Sequence, residues 1–532
     1  MTSEPAGYAH AYATAILRRG RVPMPPADFI PDWADAPRRG KYYPDAAAFP
    51  LPEPASADAP LDAALRPDGD ADEPFTTRLL AGMLRDSYGL LGRRLGVQAN
   101  TDLAGLPSYA HANWHRGTAS GGGLYPCSVY WIAGPGAGVV PGVYYYAHAR
   151  QAMQRLLAGD VTDRLNAAID RPEPATQFLV IGVKFWQNAF KYNNFSYHAV
   201  SMDVGTVLQT WRLWAGGQGR RIRPVLWFDQ AAVADLLGLD PDAEALFAVV
   251  PLTWADHDRA ADRAEGAPPG PVRVRHTDRE RSRTRLDFDI LQRVNRSTAA
   301  AAVRRPPAGA LADAGAHPAT TRAGRLALPP AAPMDMPVGA ALARRRSSFG
   351  RFLAGRRISA GQLAALLSAT AATTVPSEID GPADRPLAKL YAFVNHVDGV
   401  PAGGYEYDPG SHALLPVTEG PPGRFLQRNY FLANYNLEQA AVVLVPTVRT
   451  HAVLDATGDR GYNLVNATVG AISQTFYTTA AALRLGAGVA LGFDSVSYVE
   501  ELALEGTGEF PLLIMLAGHD RPGLGDYRYE LS

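Results

Sequence analysis

Between residues 202 and 215, apolar side chains recur at Val204, Val207, Leu208, Trp211 and Trp214, the three-and-four spacing of one helix face. Gly216-Gly217 follows, and glycine is common just past a helix end. The pattern predicts a long helix over 202–215 and a second over 467–485. Shorter helices are expected at 75–90 and 359–369. Runs rich in β-branched and aromatic residues predict strands at 128–133, 142–146 and 178–182, the first two turned through Gly134-Pro135-Gly136. Residues 510–516 read as one continuous apolar strand. Strands alternating with helices in this way argue for an α+β fold.

The pattern is written twice. Tyr197 and Tyr462, Gly205 and Gly470, Gln209 and Gln474, and Phe228-Asp229 and Phe493-Asp494 all share one offset, and the 178–182 strand falls on Val443–Thr447 at the same offset. Upstream, Gly142-Val-Tyr-Tyr-Tyr146 echoes Gly403-Gly-Tyr-Glu-Tyr407. A constant offset across strand, helix and turn marks an internal repeat. The chain reads as two tandem copies forming an intramolecular pseudo-dimer, unit one over 75–257 and unit two over 336–532. Between them, 258–335 is rich in Pro, Ala and Arg and reads as a linker, within which Leu286–Leu291 could dock as an arm. Residues 1–74 form an N-terminal arm whose Trp33, Tyr42 and Tyr43 are expected to wrap the folded body.

Composition narrows the class. At 532 residues the chain exceeds what one core usually supports. It is 47% apolar and 19% charged, with a formal net charge of −1. That balance gives no reason to expect nucleic acid or a membrane as partner. No apolar run reaches the roughly 20 residues of a membrane span, and the first residues lack the charged and apolar regions of a signal peptide. The single cysteine, Cys127, cannot form an internal disulfide, which fits a cytoplasmic location and a small buried hydrophobe. No Cys/His cluster has metal-ligand spacing, so no metal is expected.

Two stretches carry candidate chemistry, both in unit one. In Arg116-Gly-Thr-Ala-Ser120-Gly121-Gly122-Gly123-Leu124-Tyr125-Pro126, three successive glycines after a serine leave the backbone bare, so a flat ligand could lie on it. A glycine run alone is equally a plain loop. Downstream, Lys191-Tyr192 lies in a polar stretch from Asn188 to Asn194, followed by Tyr197, His198, Asp203-Val-Gly205 and Gln209. Asp203 is expected near a helix start, serving the dipole or pairing with a site cation; His198 reads as a structural residue.

Together these blocks, over roughly 75–253, resemble the flavin-dependent azoline dehydrogenases of the SagB/ThcOx/McbC type, a branch of the nitroreductase superfamily. The resemblance implies a nitroreductase-like fold and FMN as cofactor, with Lys191 and Tyr192 as the catalytic pair. It also implies that Arg116, Ser120, Gly121, Gly122, Gly123 and Tyr125 contact the cofactor. Unit two lacks these motifs: Ile379–Pro386 replaces the glycine loop, Ala456-Thr457 the Lys-Tyr pair, and Thr468 the acid. It carries instead Arg344-Arg345-Arg346-Ser347-Ser348 and Gly492-Phe493-Asp494. Arginine suits a phosphate through permanent charge and bidentate bonding. The run resembles the Arg-Arg-Ser motif by which nitroreductases hold the flavin phosphate, so the resemblance implies Arg345, Arg346 and Ser347 at the phosphate and Gly492 as a further cofactor contact. Phe349 stands where the family often has a further arginine. Complementary losses predict a single composite site, with unit two gripping the phosphate and unit one presenting the ring and substrate.

The function so implied is oxidation of thiazoline or oxazoline rings to thiazole or oxazole in a ribosomally made peptide. The partners would be an azoline-containing precursor peptide and a cyclodehydratase, with dioxygen as electron acceptor and further oligomerisation left open. An NAD(P)H-dependent nitro or quinone reductase is the alternative, and a non-catalytic docking scaffold the second.

Overall fold

The computed structural model describes residues 7–66, 73–95, 112–171, 173–255, 270–321, 324–349, 352–382, 385–521 and 527–530. Two antiparallel sheets organise it. In the first, the strand order is Ala48–Pro50, Ala152–Ala158, Gly142–Ala147, Cys127–Ala133, Gln177–Lys184 and Glu244–Leu252, with Val272–Arg273 beside Ala152–Ala158. In the second it is Leu326–Ala327, Ala413–Glu419, Gly403–Asp408, Ala388–Val394, Val442–Val448, Ile514–Gly518 and Gly486–Ala490. The repeated strands occupy equivalent places in the two sheets. The predicted strand over 510–516 is split: Phe510–Pro511 pairs with one end of Val442–Val448, and Ile514–Gly518 with the other. Near the chain's end, Tyr527–Glu530 pairs with Gly92–Leu95, so backbone of the second copy extends a hairpin of the first.

The two sheets are joined through two long helices, Ser196–Gly216 and Gly461–Ala482, which we call the first and second central helices. Both begin one to two turns earlier than the apolar spacing predicts. Tyr197 and His198 are polar enough to hide that first turn, yet both are buried because partners arrive from elsewhere. Tyr197 Oη lies 2.5 Å from Thr298 Oγ1, and the His198 Nδ1–Tyr462 Oη distance is 2.7 Å. Tyr197 and Tyr462, equivalent by the repeat, stack with ring centroids 6.3 Å apart. Gly205 and Gly470 sit where the helices cross. A Cβ on Gly205 would overlap the Ala467 carbonyl oxygen, and one on Gly470 the Met202 carbonyl oxygen. The repeated Phe-Asp pair also has a local reason: Asp229 and Asp494 cap the helices Gln230–Leu237 and Ser495–Glu501, accepting from Ala232 N and Val496 N.

The segment read as linker contributes to the body. Its helix Asp289–Ala302 buries Leu291, Val294, Thr298 and Ala302 against the N-terminal helix Tyr8–Arg18 and the first central helix. Composition concealed this, because only one face of a Pro/Ala/Arg-rich stretch needs apolar residues to dock. The N-terminal arm spans both units: Arg21 pairs with Asp494 and Glu500 of unit two, whereas Tyr43 is buried on unit one and Trp33 and Tyr42 rest there half-exposed. Lys41 reaches under the sheet edge to Glu244 and to Tyr130 Oη, an ion pair shielded from water.

Candidate active site

The glycine loop is held from beneath by a buried carboxylate. Asp203, in the second turn of the first central helix rather than at its start, accepts from Ser120 Oγ at 2.7 Å and from Gly121 N at 2.8 Å. Ser120 Oγ in turn accepts from Tyr125 N at 2.9 Å. Among the described residues no cation pairs with it; burial pushes the Asp203 carboxyl up to about 7, against the two hydrogen bonds that favour its charge. The loop then turns left-handed at Gly122 (φ +63°), Gly123 (φ +64°) and Tyr125 (φ +52°). Glycine takes such angles at no steric cost; Tyr125 holds its angle under its bond to Ser120 and its burial.

Lys191 and Tyr192 close the short helix Trp186–Tyr192 instead of lying in a loop. Their polar ends converge on the glycine loop. A Cβ on Gly122 would stand 2.5 Å from Tyr192 Oη and 2.9 Å from Lys191 Nζ, and only glycine leaves that space open. Lys191 Nζ also lies 4.8 Å from the Tyr192 ring centroid and 5.7 Å from that of Trp33. Trp33 reaches this point from the arm, packed edge-on against Phe190 at 5.2 Å. Tyr430 of unit two approaches from the far side: burial pushes its hydroxyl pKa up, with Tyr477 and Tyr192 adding to the shift.

Unit two meets the loop through Arg345 and Gln474. Arg345 is buried; its Nε donates to Gly117 O at 2.9 Å, and its Nη2 to Arg116 O at 2.9 Å and Thr118 O at 3.3 Å. These bonds tie the two units across the loop, a use of Arg345 that its place in a basic run does not reveal. Gln474 accepts from Ala119 N and donates to Gly117 O, while its repeat mate Gln209 bonds Thr475 instead. The repeat alone pointed to Gln474, without its role. Arg346 pairs with Asp520 at 3.0 Å, and Ser347 Oγ lies 2.8 Å from Tyr477 Oη. Gly492 lies by the half-exposed Phe431 and Leu432, its carbonyl accepting from Phe431 N.

Arg116 is placed differently from a cofactor ligand at the loop's open face. It is buried between the Tyr88 and Tyr125 rings, at 4.6 and 4.2 Å from their centroids, with Nη2 on Arg39 O and His148 Nε2. His198 is structural, its pKa pushed down to about 3 by burial. Cys127 is buried with its thiol pKa pushed well up, which removes nucleophilic character. Among the described residues, no group of three or more His, Cys, Asp or Glu could hold a metal, and no helix is long and apolar enough to cross a membrane.

The model of the nitroreductase family matches residues 342–519, the copy that lacks the glycine loop and the Lys-Tyr pair. A protein of Methanocaldococcus jannaschii, provisionally named a nitroreductase, is 31% identical over 149 residues, which is 27% of this chain and 69% of that protein. The chain belongs to the nitroreductase family. A crystal structure of a provisionally named nitroreductase from Anabaena variabilis superposes on 97% of this family member and 100% of its own chain, at 22% identity and a TM-score of 0.70. That likeness shows the same fold across both copies. A chain of the Escherichia coli microcin synthetase McbBCD complex, solved with truncated pro-MccB17 bound, matches 34% of this chain and 70% of its own at 21% identity. Its TM-score is 0.29, too low to bear on function.

Proposed function

We propose that this nitroreductase-family oxidoreductase is an FMN-dependent azoline dehydrogenase of the SagB/ThcOx/McbC type. The observation that carries the reading is the convergence of Lys191 Nζ and Tyr192 Oη on Gly122. The residues suit a flavin. Gly122 and Gly123 present bare backbone at positive φ, and the Cβ direction at Gly123 meets no atom within 4 Å. A flat ring system fits such a surface. Ser347, Arg346 and the exposed Arg344 supply the hydroxyl and charges that a phosphate needs. Arg345 then acts by fixing the loop instead of touching the phosphate.

Oxidising an azoline removes a proton from one ring carbon and a hydride from its neighbour, leaving an aromatic azole. Bound FMN supplies the two-electron acceptor for that hydride. Tyr192 Oη, with Lys191 Nζ beside its ring, is positioned to take the proton. Trp33 and Tyr430 wall the approach. The substrate is an azoline-bearing precursor peptide, delivered by a cyclodehydratase. The division into an arm (1–74), two units (75–257 and 336–532) and a connecting segment (258–335) belongs to the same proposal, as does one cofactor per chain.

The test is the visible spectrum of purified protein with released flavin quantified, followed by turnover of a thiazoline peptide. About one FMN per chain and azole formation support the reading. Flavin with NAD(P)H-driven nitro or quinone reduction, and no azole, replaces it with the reductase alternative. Absence of flavin after incubation with excess FMN leaves a docking scaffold.

A further inference from the structure

The segment from Arg273 to Arg285 alternates in exposure. Val274, His276, Asp278, Glu280 and Ser282 turn toward unit one, while Arg273, Arg275, Arg279, Arg281, Arg283 and Arg285 are exposed. Period-two alternation is the mark of extended chain with two distinct faces. The inward face is pinned. Asp278 and Glu280 pair with Lys184 at 2.6 and 2.7 Å, Ser282 Oγ accepts from Trp186 Nε1 at 2.8 Å, and His276 packs edge-on to Tyr43. Lys184 thereby offsets one of the segment's two carboxylates, leaving a single negative charge beneath six arginines. In the outward row Arg279 pairs with Asp45 at 3.1 Å, Arg273 donates to Asp235 O, and Arg281 and Arg283 lie near Asp35; the row still carries more positive charge than these acids offset.

A row of six arginines is out of keeping with a chain whose net charge is −1. Successive arginines stand roughly 6.6–7 Å apart where the spacing is two residues, the repeat of alternate side chains on another extended polypeptide. Apolar groups border the row: Val272 is 63% exposed, Leu286 46% and Tyr42 38%. Asp35 accepts from Arg283 N and Thr284 N, which brings the arm's Trp33 alongside. Trp186, bonded to Ser282, opens the helix that ends in Lys191-Tyr192. The row therefore runs past the candidate site. Aliphatic and aromatic borders suit a peptide with acids at alternate positions better than they suit bare phosphates.

We propose that this arginine row is a docking strip for an acidic, extended segment of a polypeptide partner. That this polypeptide is the substrate rests on the azoline-dehydrogenase reading; the binding itself does not. Alternate acidic side chains lie along the arginines, and the residues between them face the border of Val272, Leu286 and Tyr42.

The test is fluorescence anisotropy of the full-length protein with a labelled peptide of about twelve residues alternating glutamate and threonine, long enough to span the row. Its controls are the lysine–threonine peptide and a single-stranded oligonucleotide of equal charge. The acidic peptide is expected to bind, the lysine peptide not to, and the oligonucleotide to bind more weakly. Combining Arg275→Glu, Arg281→Glu and Arg283→Glu should weaken peptide binding about 30-fold, taking about threefold for each exposed ion pair. The matching Arg→Gln set should give a smaller loss at an unchanged melting temperature. Unaltered affinity in either set overturns the proposal, as does an oligonucleotide that binds as tightly as the peptide. No azoline and no turnover enter this assay, so its failure is separate from failure of the catalytic reading, and flavin content is expected to stay unchanged in both sets.

Discussion

Tyr192 Oη lies 2.5 Å from the point where a Cβ on Gly122 would stand, with Lys191 Nζ 2.9 Å from the same point. Two motifs far apart in sequence thus share one small volume, and the hydrogen of Gly122 is all that separates them. Gly122→Ala should both strain a backbone at φ +63°, costing about 1–2 kcal/mol, and push the Tyr192 hydroxyl and Lys191 ammonium aside. The expected result is a small fall in melting temperature with a large loss of bound flavin and turnover. Retention of both would mean that the loop face is not the cofactor face.

Lys191→Ala and Tyr192→Phe test the chemistry more directly. Each removes a polar end without disturbing the Asp203 bonds that hold the loop. Azole formation should fall about 10²–10⁴-fold, the usual worth of a positioned acid–base group. Flavin content should remain that of the parent. If turnover persists in both variants, proton removal belongs to another group.

Gly205 and Gly470 are the tightest points of the crossing between the two central helices. Any Cβ there meets a backbone carbonyl, which cannot rotate away as a side chain could. Gly205→Ala and Gly470→Ala should each destabilise by about 1–3 kcal/mol or more, the cost of forcing extra volume into a packed interface. Thermal unfolding is the measurement. Because the two positions share one crossing, their effects should not add.

Much of this was legible in the sequence, for identifiable reasons. The apolar stripe Val204–Trp214 is buried as its spacing requires. The Phe-Asp repeat survives in both copies because Asp229 and Asp494 each satisfy an otherwise unpaired N–H at a helix start. What sequence did not disclose are roles created by distant partners. Arg345 reads as part of a basic run, yet its acceptors are the carbonyls of Arg116, Gly117 and Thr118, more than 200 positions away. Tyr197 and His198 fall before the apolar stripe that marks the helix, and Thr298, Asn463 and Tyr462, which satisfy them, are far along the chain. The helix Asp289–Ala302 was hidden by its composition, since one docking face needs only Leu291, Val294, Thr298 and Ala302.

Asp203 should leave a pH signature. Its folded pKa, about 7, is above the unfolded value of about 3.9, so the folded state binds the extra proton between them. Its contribution is fully present below about pH 4 and is lost as pH rises through about 7. His198 acts oppositely: its folded pKa of about 3 lies below the unfolded value of about 6.5, so its contribution grows with pH across that window. The two partly cancel below pH 6.5, and Asp203→Asn separates them. Denaturant unfolding of the variant should show stability rising more steeply from acid to neutral pH than in the parent. Parallel pH profiles would mean that Asp203 titrates as an ordinary surface carboxyl.

Arg345 offers the sharpest distinction between a cofactor ligand and a structural tie. If its task is to satisfy the loop carbonyls, Arg345→Ala removes the Arg345 donor from buried Arg116 O and Thr118 O, while Gly117 O keeps Gln474 Nε2. Unfolding should then be easier by about 2–5 kcal/mol, since each such group costs about 1–3 kcal/mol. Arg345→Lys should recover only part of this, because a single ammonium cannot reproduce the planar fork that spans Arg116 O, Gly117 O and Thr118 O. Flavin would be lost in proportion to the loss of stability, as the loop loosens from Gln474 and Asp203. Ser347→Ala and Arg346→Ala should behave in the reverse way, weakening FMN while barely moving the apoprotein's melting temperature. A stable Arg345→Ala protein that has lost only FMN would return Arg345 to the phosphate and leave Gln474 to hold the glycine loop from unit two.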